Sequence, residues 1–326
     1  MKQHSDALII GFGKAGKTLA VALAKAGTQV TLVEQSPQMY GGTCINVACI
    51  PTKTLVSAAA AGQSIDQAFM RKEAVVSKLN SKNYHMLADN PGVTVIDGTA
   101  SFVDAHTVRI TGGEDELLVT ADKIFINTGS TPLIPDIPGI QHTQRVYTSA
   151  EMLRGAMQPQ RLAIIGGGYI GLEFASTYAA LGVAVTVYHR GHTVLPQEEP
   201  EVVAAAVAAL QAQQVTFRYQ STIQLVSDTE HGVMIRDQGG EQEFDAVLLA
   251  TGRQPNTATL NLAAAGVDTD ERGAIVVSDT LQTSQPHIWA LGDVNGGPQF
   301  TYVSLDDFRI IKSQLLGDGQ YTRAQR

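Results

Sequence analysis

The distribution of apolar and polar positions near the N-terminus predicts a strand, a glycine turn, a helix and a second strand. Ala7–Ile10 is a short apolar run typical of a buried strand, and Gly11–Gly16 follows it at once. The next stretch, Lys17–Lys25, carries leucine and valine among alanines, and Gly27 ends it. Gln29–Val33 is a further short strand pattern, so this part of the chain indicates a β-α-β unit.

The glycines of this turn have the spacing of a dinucleotide-binding turn. Gly11 allows the tight bend, Gly13 lets a pyrophosphate approach the backbone, and Gly16 lets helix and strand pack closely. The phosphates then lie at the helix N-terminus, where free N–H groups and the helix dipole favour negative charge. Glu34, 18 residues after Gly16, can accept hydrogen bonds from both ribose hydroxyls.

The same arrangement occurs a second time. The apolar strand Arg161–Ile165 leads into a turn, and a helix and another strand follow; the turn contains Gly166, Gly168 and Gly171. A single glycine-rich turn can serve ordinary packing, but two copies with matching strands and helices are a stronger signal. Two such units in one chain predict two bound dinucleotides with electron transfer between them.

The two copies differ in the residue that follows the second strand. His189 stands 18 residues after Gly171, where the first copy has Glu34, and Arg190 comes next. Because a carboxylate would repel a 2′-phosphate, this pair favours NADPH over NADH, with NADH still possible. The alternative interpretation is that His189 and Arg190 simply end a strand in solvent.

Composition narrows the class of partner. A chain of 326 residues, 44% hydrophobic and 17% charged, is typical of a soluble globular protein of about two domains. The net charge of −8 argues against a nucleic-acid or anionic-membrane surface, and small-molecule partners are expected. No apolar run reaches the roughly 18 residues of a membrane span, and no signal peptide is recognised, so a cytoplasmic location is expected.

Two cysteines, Cys44 and Cys49, are too few for a disulfide framework, so the pair is either incidental or redox-active. In a regular helix, residues five apart differ by about 7.5 Å of rise, beyond the roughly 4.4–6.8 Å between the Cα atoms of a disulfide. The segment must therefore be irregular if the two sulfurs bond. A structural zinc site lacks a second ligand pair at suitable spacing, and no metal site is predicted.

The cysteine segment resembles the redox-disulfide segment of the FAD-dependent pyridine nucleotide-disulfide oxidoreductases, the family of glutathione reductase, dihydrolipoamide dehydrogenase and mercuric reductase. The resemblance covers essentially the whole chain. It is strongest to the mercuric-reductase-like branch with its bacterial reactive-chlorine resistance reductases. The segments that carry it are Gly11–Thr18, Gly41–Lys53, Ile126–Gly129, Leu249–Arg253, Thr283–Asp293 and Gln299–Asp307.

This resemblance implies a route for electrons. A nicotinamide gives hydride to the flavin on one face, and the reduced flavin passes two electrons to a disulfide on the other. Cys49 is implied to be the sulfur next to the flavin, and Cys44 the interchange thiol that meets the substrate. Lys53 is implied to lie near flavin N5, paired with Glu173, and Tyr169 to cover the flavin until nicotinamide displaces it. Without the resemblance, these three would be interpreted as exposed helix charges and a packing aromatic.

The resemblance also implies two sets of cofactor-binding residues. Asp293 would bind a hydroxyl of the flavin side chain, and a helix that opens near Thr301 would direct its N-terminus at the flavin. The FAD set is Gly11, Gly13, Gly16, Glu34, Gly42, Thr43, Thr128, Gly129, Asp293 and Thr301. The nicotinamide set is Gly166, Gly168, Tyr169, Gly171, His189, Arg190 and Gly252.

We therefore predict an α/β fold with two Rossmann-like, three-layer dinucleotide-binding domains, of which the FAD domain is discontinuous. Residues 1–149 and 273–326 are predicted to bind FAD, and residues 150–272 to bind NAD(P)H. The family continues into a third domain that forms the homodimer interface and supplies a His-Glu pair to the partner's disulfide. This chain is expected to lack that domain, to be capable of existing as a monomer, and to turn over poorly.

The predicted function is reduction by NADPH, through FAD and the Cys44/Cys49 dithiol, of a soft metal ion such as copper or mercury or of a disulfide, with metal favoured. One alternative is a redox-inactive FAD- and NAD(P)-binding fragment or sensor, and another is a flavin-dependent NAD(P)H oxidase. Low-molecular-weight thioredoxin reductases place a C-x-x-C in the nicotinamide domain. The segment Ala150–Arg272 contains no cysteine, which argues against that class.

Overall fold

The computed structural model describes residues 2–112, 116–155 and 158–326. The chain forms two compact units. The first unit comprises Met1–Asn46, Ser77–Thr131 and Gln254–Arg326, and the second comprises Val47–Val76 and Pro132–Arg253. The assignment of FAD to 1–149 and 273–326 and of NAD(P)H to 150–272 stays a prediction.

The first unit contains a seven-stranded sheet. Its strands, numbered along the chain, are β1 (Lys2–Ile10), β2 (Val30–Glu34), β3 (Val93–Asp97), β4 (Thr99–Phe102), β5 (Thr107–Thr111), β6 (Leu117–Ile126) and β17 (Ile288–Ala290). The order is β3-β2-β1-β6-β5-β4, and β17 pairs with β6. Strands β3, β2, β1, β6 and β17 run parallel, whereas β4 and β5 are antiparallel additions.

Both faces of this sheet are covered. Ala7 and Ile9 of β1 belong to one hydrophobic core, and the alternating residues Leu8 and Ile10 belong to another. Because successive side chains of a strand point to opposite faces, the apolar run predicted as a strand supplies both cores. The helices of this unit are α1 (Lys14–Lys25), α2 (Thr43–Asn46), α8 (Leu262–Ala265), α9 (Thr301–Leu316) and the last part of α4 (Ile65–Ala88).

The second unit contains a five-stranded, all-parallel sheet. Its strands are β8 (Val146–Thr148), β9 (Arg161–Ile165), β10 (Ala184–Tyr188), β11 (Thr216–Arg218) and β15 (Ala246–Leu249), in the order β11-β10-β9-β15-β8. Leu162 and Ile164 face one core, and Ala163 and Ile165 face the other. This sheet too is the middle of three layers.

The remaining elements complete the second unit. An antiparallel meander, β12 (Ile223–Asp228), β13 (Val233–Asp237) and β14 (Gly240–Phe244), follows β11. The helices are α3 (Cys49–Ala60), α5 (Ser149–Leu153), α6 (Tyr169–Ala180) and α7 (Pro200–Ala212). The short strands β7 (Ser130–Pro132) and β16 (Arg253–Pro255), most of whose residues belong to the first unit, form a two-stranded sheet. The architecture is the predicted α/β class with two dinucleotide-binding-type units.

Among the described residues, no helix has both the length and the apolar content needed to cross a bilayer.

Candidate active site

The first glycine turn is built around Asn127, the residue after β6. A Cβ added at Gly11 would lie 2.4 Å from the Asn127 backbone oxygen, and one at Gly13 would lie 2.5 Å from its Oδ1. Gly16 donates its N–H to Asn127 Oδ1 at 2.9 Å, and Asn127 Nδ2 donates to the Leu291 carbonyl at 2.6 Å. The predicted glycines are therefore required by close contacts with the backbone and side chain of Asn127, in addition to any phosphate that approaches them.

The N-terminus of α1 is suited to an anion. Gly13 is its N-cap, its first turn contains no acidic residue, and no side chain of the described residues caps it. The first N–H groups of a helix lack intrahelical acceptors, and the helix dipole places partial positive charge there. A diphosphate at this position would satisfy both features.

Glu34 lies at the end of β2 beside the same turn and is 7% exposed. Its Oε2 accepts the Phe12 N–H at 3.0 Å, and its Oε1 accepts the Ser36 N–H at 3.3 Å. Burial raises the pKa of this carboxyl, and the backbone hydrogen bonds oppose the shift. Each carboxylate oxygen has a further lone pair, so Glu34 can still accept hydrogen bonds from ribose hydroxyls.

Thr128 and Gly129 continue the chain from Asn127. Thr128 Oγ1 donates to the Asn256 carbonyl at 2.7 Å. Gly129 has φ of +70°, and a Cβ there would meet no heavy atom of the described residues within 4 Å, so this turn is open on one side. The next residue, Ser130, donates to Asp293 Oδ2 at 2.7 Å and orients the carboxylate implied to bind the flavin side chain.

Asp307 is a site residue that the sequence reasoning missed. It is fully buried in α9, the helix that begins at Thr301, and its Oδ2 accepts the Gly292 N–H at 2.7 Å and Asn295 Nδ2 at 3.1 Å. It also pairs with Arg326. Asp307 therefore fixes the turn that carries Asp293. An acidic residue on the buried face of a helix is the available signal, but the sequence alone does not show which face is buried.

The cysteine segment packs against the first glycine turn. Gly42 has φ of +82°, and a Cβ there would lie 2.7 Å from Gly13 Cα. The next residue, Thr43, begins α2, which contains the half-buried Cys44. The buried Asn46 donates its Nδ2 to the carbonyls of Tyr40 at 3.0 Å and Gly42 at 2.9 Å. These bonds hold the Cys44 helix next to the turn.

The backbone between the two cysteines is irregular, as their spacing requires if the sulfurs are to bond. Helix α2 ends three residues before Cys49, and Ala48 has φ of −148° and ψ of −104°. Cys49 is exposed and begins α3. The regular helix thus begins four residues before Lys53, with Pro51 in its first turn, where a proline is tolerated.

The second glycine turn resembles the first in its close contacts. Gly166 has φ of +121°, and a Cβ there would lie 2.2 Å from the Ala250 carbonyl oxygen; at Gly171 it would lie 2.1 Å from the Gly166 oxygen. Gly168 differs, because a Cβ there would meet no described heavy atom within 4 Å. Gly168 is also the N-cap of α6, whose first turn has no acidic residue. The space beside Gly168 and the helix N-terminus are suited to a pyrophosphate.

His189 occupies the structural position that Glu34 has in the first unit. Its Nδ1 accepts the Gly167 N–H at 3.2 Å, just as Glu34 accepts the Phe12 N–H. Burial lowers the pKa of His189, and the Arg190 charge lowers it further, against a backbone hydrogen bond that raises it. The neutral imidazole, with its proton on Nε2, fits this contact. Arg190 itself is exposed.

The other predicted residues of the second unit lie on α3, α6 and the end of β15. Lys53 of α3 forms an ion pair with Glu173 of α6, and both side chains are largely exposed. The Tyr169 hydroxyl donates to Glu198. Gly252 has φ of +119°, and a Cβ added there would meet no described heavy atom within 4 Å. Its carbonyl accepts the Leu133 N–H at 3.0 Å. Because both of its side chains are largely exposed, the Lys53–Glu173 ion pair contributes little to stability.

Comparison with known proteins gives one consistent result. The model of the pyridine nucleotide-disulphide oxidoreductase family matches residues 5–307. The chain is 48% identical over 321 residues to the probable pyridine nucleotide-disulfide oxidoreductase RclA of Escherichia coli K12. The aligned region covers 98% of this chain and 73% of the relative. It is 34% identical over 333 residues to a mercuric reductase of Staphylococcus aureus, covering 96% of this chain and 60% of that protein.

Solved structures agree with these relatives. The Cu(II) complex of the HOCl-induced flavoprotein disulfide reductase RclA from Escherichia coli superposes with a TM-score of 0.98 at 47% identity, over 99% of this chain and 74% of that one. A second structure of the HOCl-induced flavoprotein disulfide reductase RclA from Escherichia coli gives a TM-score of 0.95 at 47% identity, over 98% of this chain and 73% of that one. The predicted resemblance and the predicted fold class are both confirmed.

Proposed function

The chain belongs to the pyridine nucleotide-disulphide oxidoreductase family, and on that premise we propose that electrons pass from NADPH through FAD to Cys44 and Cys49, and then to a soft metal ion or a disulfide. The coarser statement, that it is a flavin-dependent disulfide oxidoreductase, follows from its relatives. Metal is the favoured acceptor, because the relatives include mercuric reductases and a flavoprotein solved as a Cu(II) complex.

The residues of this chain fit both cofactors. The first unit offers an uncapped helix N-terminus beside Gly13 and a buried carboxylate, Glu34, at the ribose position. Thr43, Thr128, Gly129, Asp293 and Thr301 are proposed to complete the FAD site. The second unit offers open space at Gly168 beside the N-terminus of α6, with Tyr169, Gly252, His189 and Arg190 as the other nicotinamide-nucleotide residues.

When bound, FAD supplies two-electron transfer between a nicotinamide and a disulfide. One NADPH and one proton would convert the disulfide of Cys44 and Cys49 into two thiols and yield NADP⁺. The dithiol would return two electrons to two Cu(II) ions, to one Hg(II) ion or to one external disulfide, and the protein disulfide would re-form. The two protons pass to solvent or to the thiols produced.

Lys53 and Glu173 are proposed to tune this transfer. A lysine ammonium stabilises negative charge that develops near it during reduction, and its ion pair with Glu173 fixes the side chain. Cys49 is proposed as the sulfur that takes electrons first, and Cys44 as the thiol that meets the acceptor.

The observation that best supports the proposal is the contact between the cysteine segment and the first glycine turn. A Cβ at Gly42 would lie 2.7 Å from Gly13 Cα, so the helix of Cys44 begins where a bound dinucleotide would run. A cysteine kept only for packing has no reason to require this closeness.

The proposal is tested by anaerobic titration with NADPH, with thiols counted before and after Cu(II) or Hg(II) is added. We expect about two new thiols for each NADPH consumed, and their loss when the metal ion is added. If the flavin bleaches and no thiols appear, the alternative is favoured in which both cofactors bind but no acceptor is reduced. If oxygen consumption proceeds at its full rate in Cys44→Ser, the oxidase interpretation is favoured.

Arg190→Ala is expected to weaken NADPH binding about tenfold or more while changing NADH binding less than about twofold. A charge-assisted hydrogen bond to a 2′-phosphate contributes about 1.5–3 kcal/mol, and NADH lacks that phosphate. Dissociation constants of both nucleotides for the FAD-loaded protein provide the measurement. Equal losses for NADPH and NADH would contradict the assignment of Arg190.

Gly168→Ala is expected to weaken binding of either nicotinamide nucleotide about ten- to a hundredfold without lowering thermal stability. Gly168 has φ of −86°, which alanine adopts freely, and the new methyl group would enter only the space proposed for the pyrophosphate. Nucleotide titration and thermal unfolding of the same samples measure both effects.

Gly182→Ala is the matched control for this prediction. Gly182 has φ of +87°, and a Cβ there would meet no described heavy atom within 4 Å, so alanine is expected to cost about 1 kcal/mol of stability and no nucleotide affinity. A Gly168→Ala protein with normal nucleotide affinity would show that the pyrophosphate does not approach this residue.

A further inference from the structure

Helix α1 contains an unusual buried lysine near its N-terminus. Lys17 follows Gly16, the third glycine of the turn, and only 5% of its surface is exposed. Its Nζ donates to the Gly41 carbonyl at 3.1 Å and to Asn83 Oδ1 at 2.6 Å. Asn83 is anchored in turn by donating its Nδ2 to the Leu79 carbonyl at 2.7 Å.

These two acceptors are neutral. Among the described residues, no carboxylate lies within ion-pair distance of Lys17 Nζ, whereas lysines are almost never fully buried unless they are paired. Burial of an ammonium without a carboxylate partner is costly, and a nearby anion would offset that cost.

The start of the Cys44 helix contacts the first turn of α1 at two points: Lys17 Nζ donates to the Gly41 carbonyl, three residues before Cys44, and a Cβ at Gly42 would lie 2.7 Å from Gly13 Cα. Burial and the charge of Lys14 lower the pKa of Lys17 to about 8, and the Cys44 thiolate acts in the opposite direction. Electrostatic coupling between two sites is reciprocal, so the ammonium favours the thiolate as much as the thiolate favours the ammonium. At pH 7 the protonated form of a lysine with this pKa outnumbers the neutral form by about ten to one.

We propose that Lys17, held by Gly41 and Asn83, is the positioning residue that keeps the Cys44 sulfur anionic in the reduced protein. The inference deepens the proposed function and rests on it for the role of Cys44 as the thiol that meets the acceptor. Reduction leaves a thiol at Cys44, whose proton passes to solvent, and the sulfur remains as the thiolate beside Lys17. Only a thiolate attacks a disulfide or binds a soft metal ion.

The consequence concerns how the thiol is activated. In this chain the charge that activates Cys44 comes from the helix that begins at the dinucleotide turn. The same helix would therefore hold the FAD phosphates at its N-terminus, and Lys17, the residue after its last glycine, would direct a cation at the interchange sulfur.

The test uses the FAD-loaded protein with Cys49→Ser, in which Cys44 is the remaining cysteine of the sequence. The rate of alkylation of Cys44 by iodoacetamide is measured from pH 5 to pH 10, with and without Lys17→Met. We expect Lys17→Met to raise the pKa of Cys44 by about one unit and to slow alkylation at pH 7 about tenfold. An unchanged alkylation profile in a folded, FAD-loaded Lys17→Met protein would overturn the proposal.

Three further samples keep the test decisive. Lys25→Met removes an exposed lysine from the last turn of the same helix and is expected to leave the profile unchanged. Lys17→Arg keeps the charge and is expected to restore most of the rate. Should Lys17→Met fail to fold, Asn83→Ala removes one anchor of the ammonium, and we expect an intermediate slowing, with an unchanged rate counting against the proposal.

The alkylation assay needs neither NADPH nor an electron acceptor. If the proposed function fails, no thiols form from NADPH, but the difference between Lys17→Met and its parent persists. If the Lys17 inference fails, the parent protein still reduces its acceptor and the alkylation rates coincide.

Discussion

Asn127→Leu is expected to unfold about 10 °C below the parent protein and to be purified largely without FAD. The substitution keeps the number and branching of the side-chain heavy atoms but leaves the Gly16 N–H and the Leu291 carbonyl without their partners in a buried position. Each such loss costs about 1–3 kcal/mol, so the total is about 2–6 kcal/mol. The ratio of flavin to protein absorbance and a thermal unfolding curve give the two measurements.

Asn90→Leu provides the control for Asn127. The Asn90 side chain accepts the Gly92 N–H two residues away in a turn, and its replacement is expected to cost no more than about 1 kcal/mol and no flavin. Normal flavin content together with unchanged thermal stability in Asn127→Leu would mean that the first glycine turn does not depend on this asparagine.

Cys44→Ser is expected to lower the rate of NADPH-dependent metal-ion reduction at least about a hundredfold while FAD content and flavin reduction by NADPH stay near normal. A serine hydroxyl does not ionise at neutral pH and can neither form the protein disulfide nor bind a soft metal ion as a thiolate does. The measurement is anaerobic NADPH oxidation with Cu(II) or Hg(II) as acceptor.

Cys49→Ser extends the same prediction to the second sulfur. It is expected to block acceptor reduction to a similar extent, because neither sulfur alone can cycle between dithiol and disulfide. A variant of either cysteine that reduces the metal ion at the parent rate would show that electrons leave the flavin by another route.

The fold could be predicted from the sequence because its signals are local. Apolar runs, three glycines and a helix follow one another within about thirty residues in each copy, and both copies form parallel strands covered on two faces. The irregular backbone between Cys44 and Cys49 could be predicted only on the condition that the two sulfurs bond, because a regular helix holds residues five apart too far from each other for a disulfide.

Other site residues depend on partners that are distant in sequence. Asn127 acts on Gly16, 111 positions away, and on Leu291, 164 positions away. Lys17 is bonded to Asn83, and nothing in the sequence shows that this lysine is buried. The place of Val47–Val76 in the second unit likewise results from tertiary packing, in which Leu55 and Ala58 join the core that contains Leu172.

The paired roles of Glu34 and His189 limit how coenzyme choice can be altered. Both side chains hold the second residue of a glycine turn by accepting its N–H. An engineer who exchanges residue 189 to change coenzyme preference must therefore keep an acceptor atom there, as aspartate, glutamate or asparagine would. Arg190 is exposed, so if it binds the 2′-phosphate as proposed, selectivity can be altered at position 190 while residue 189 maintains the architecture of the loop.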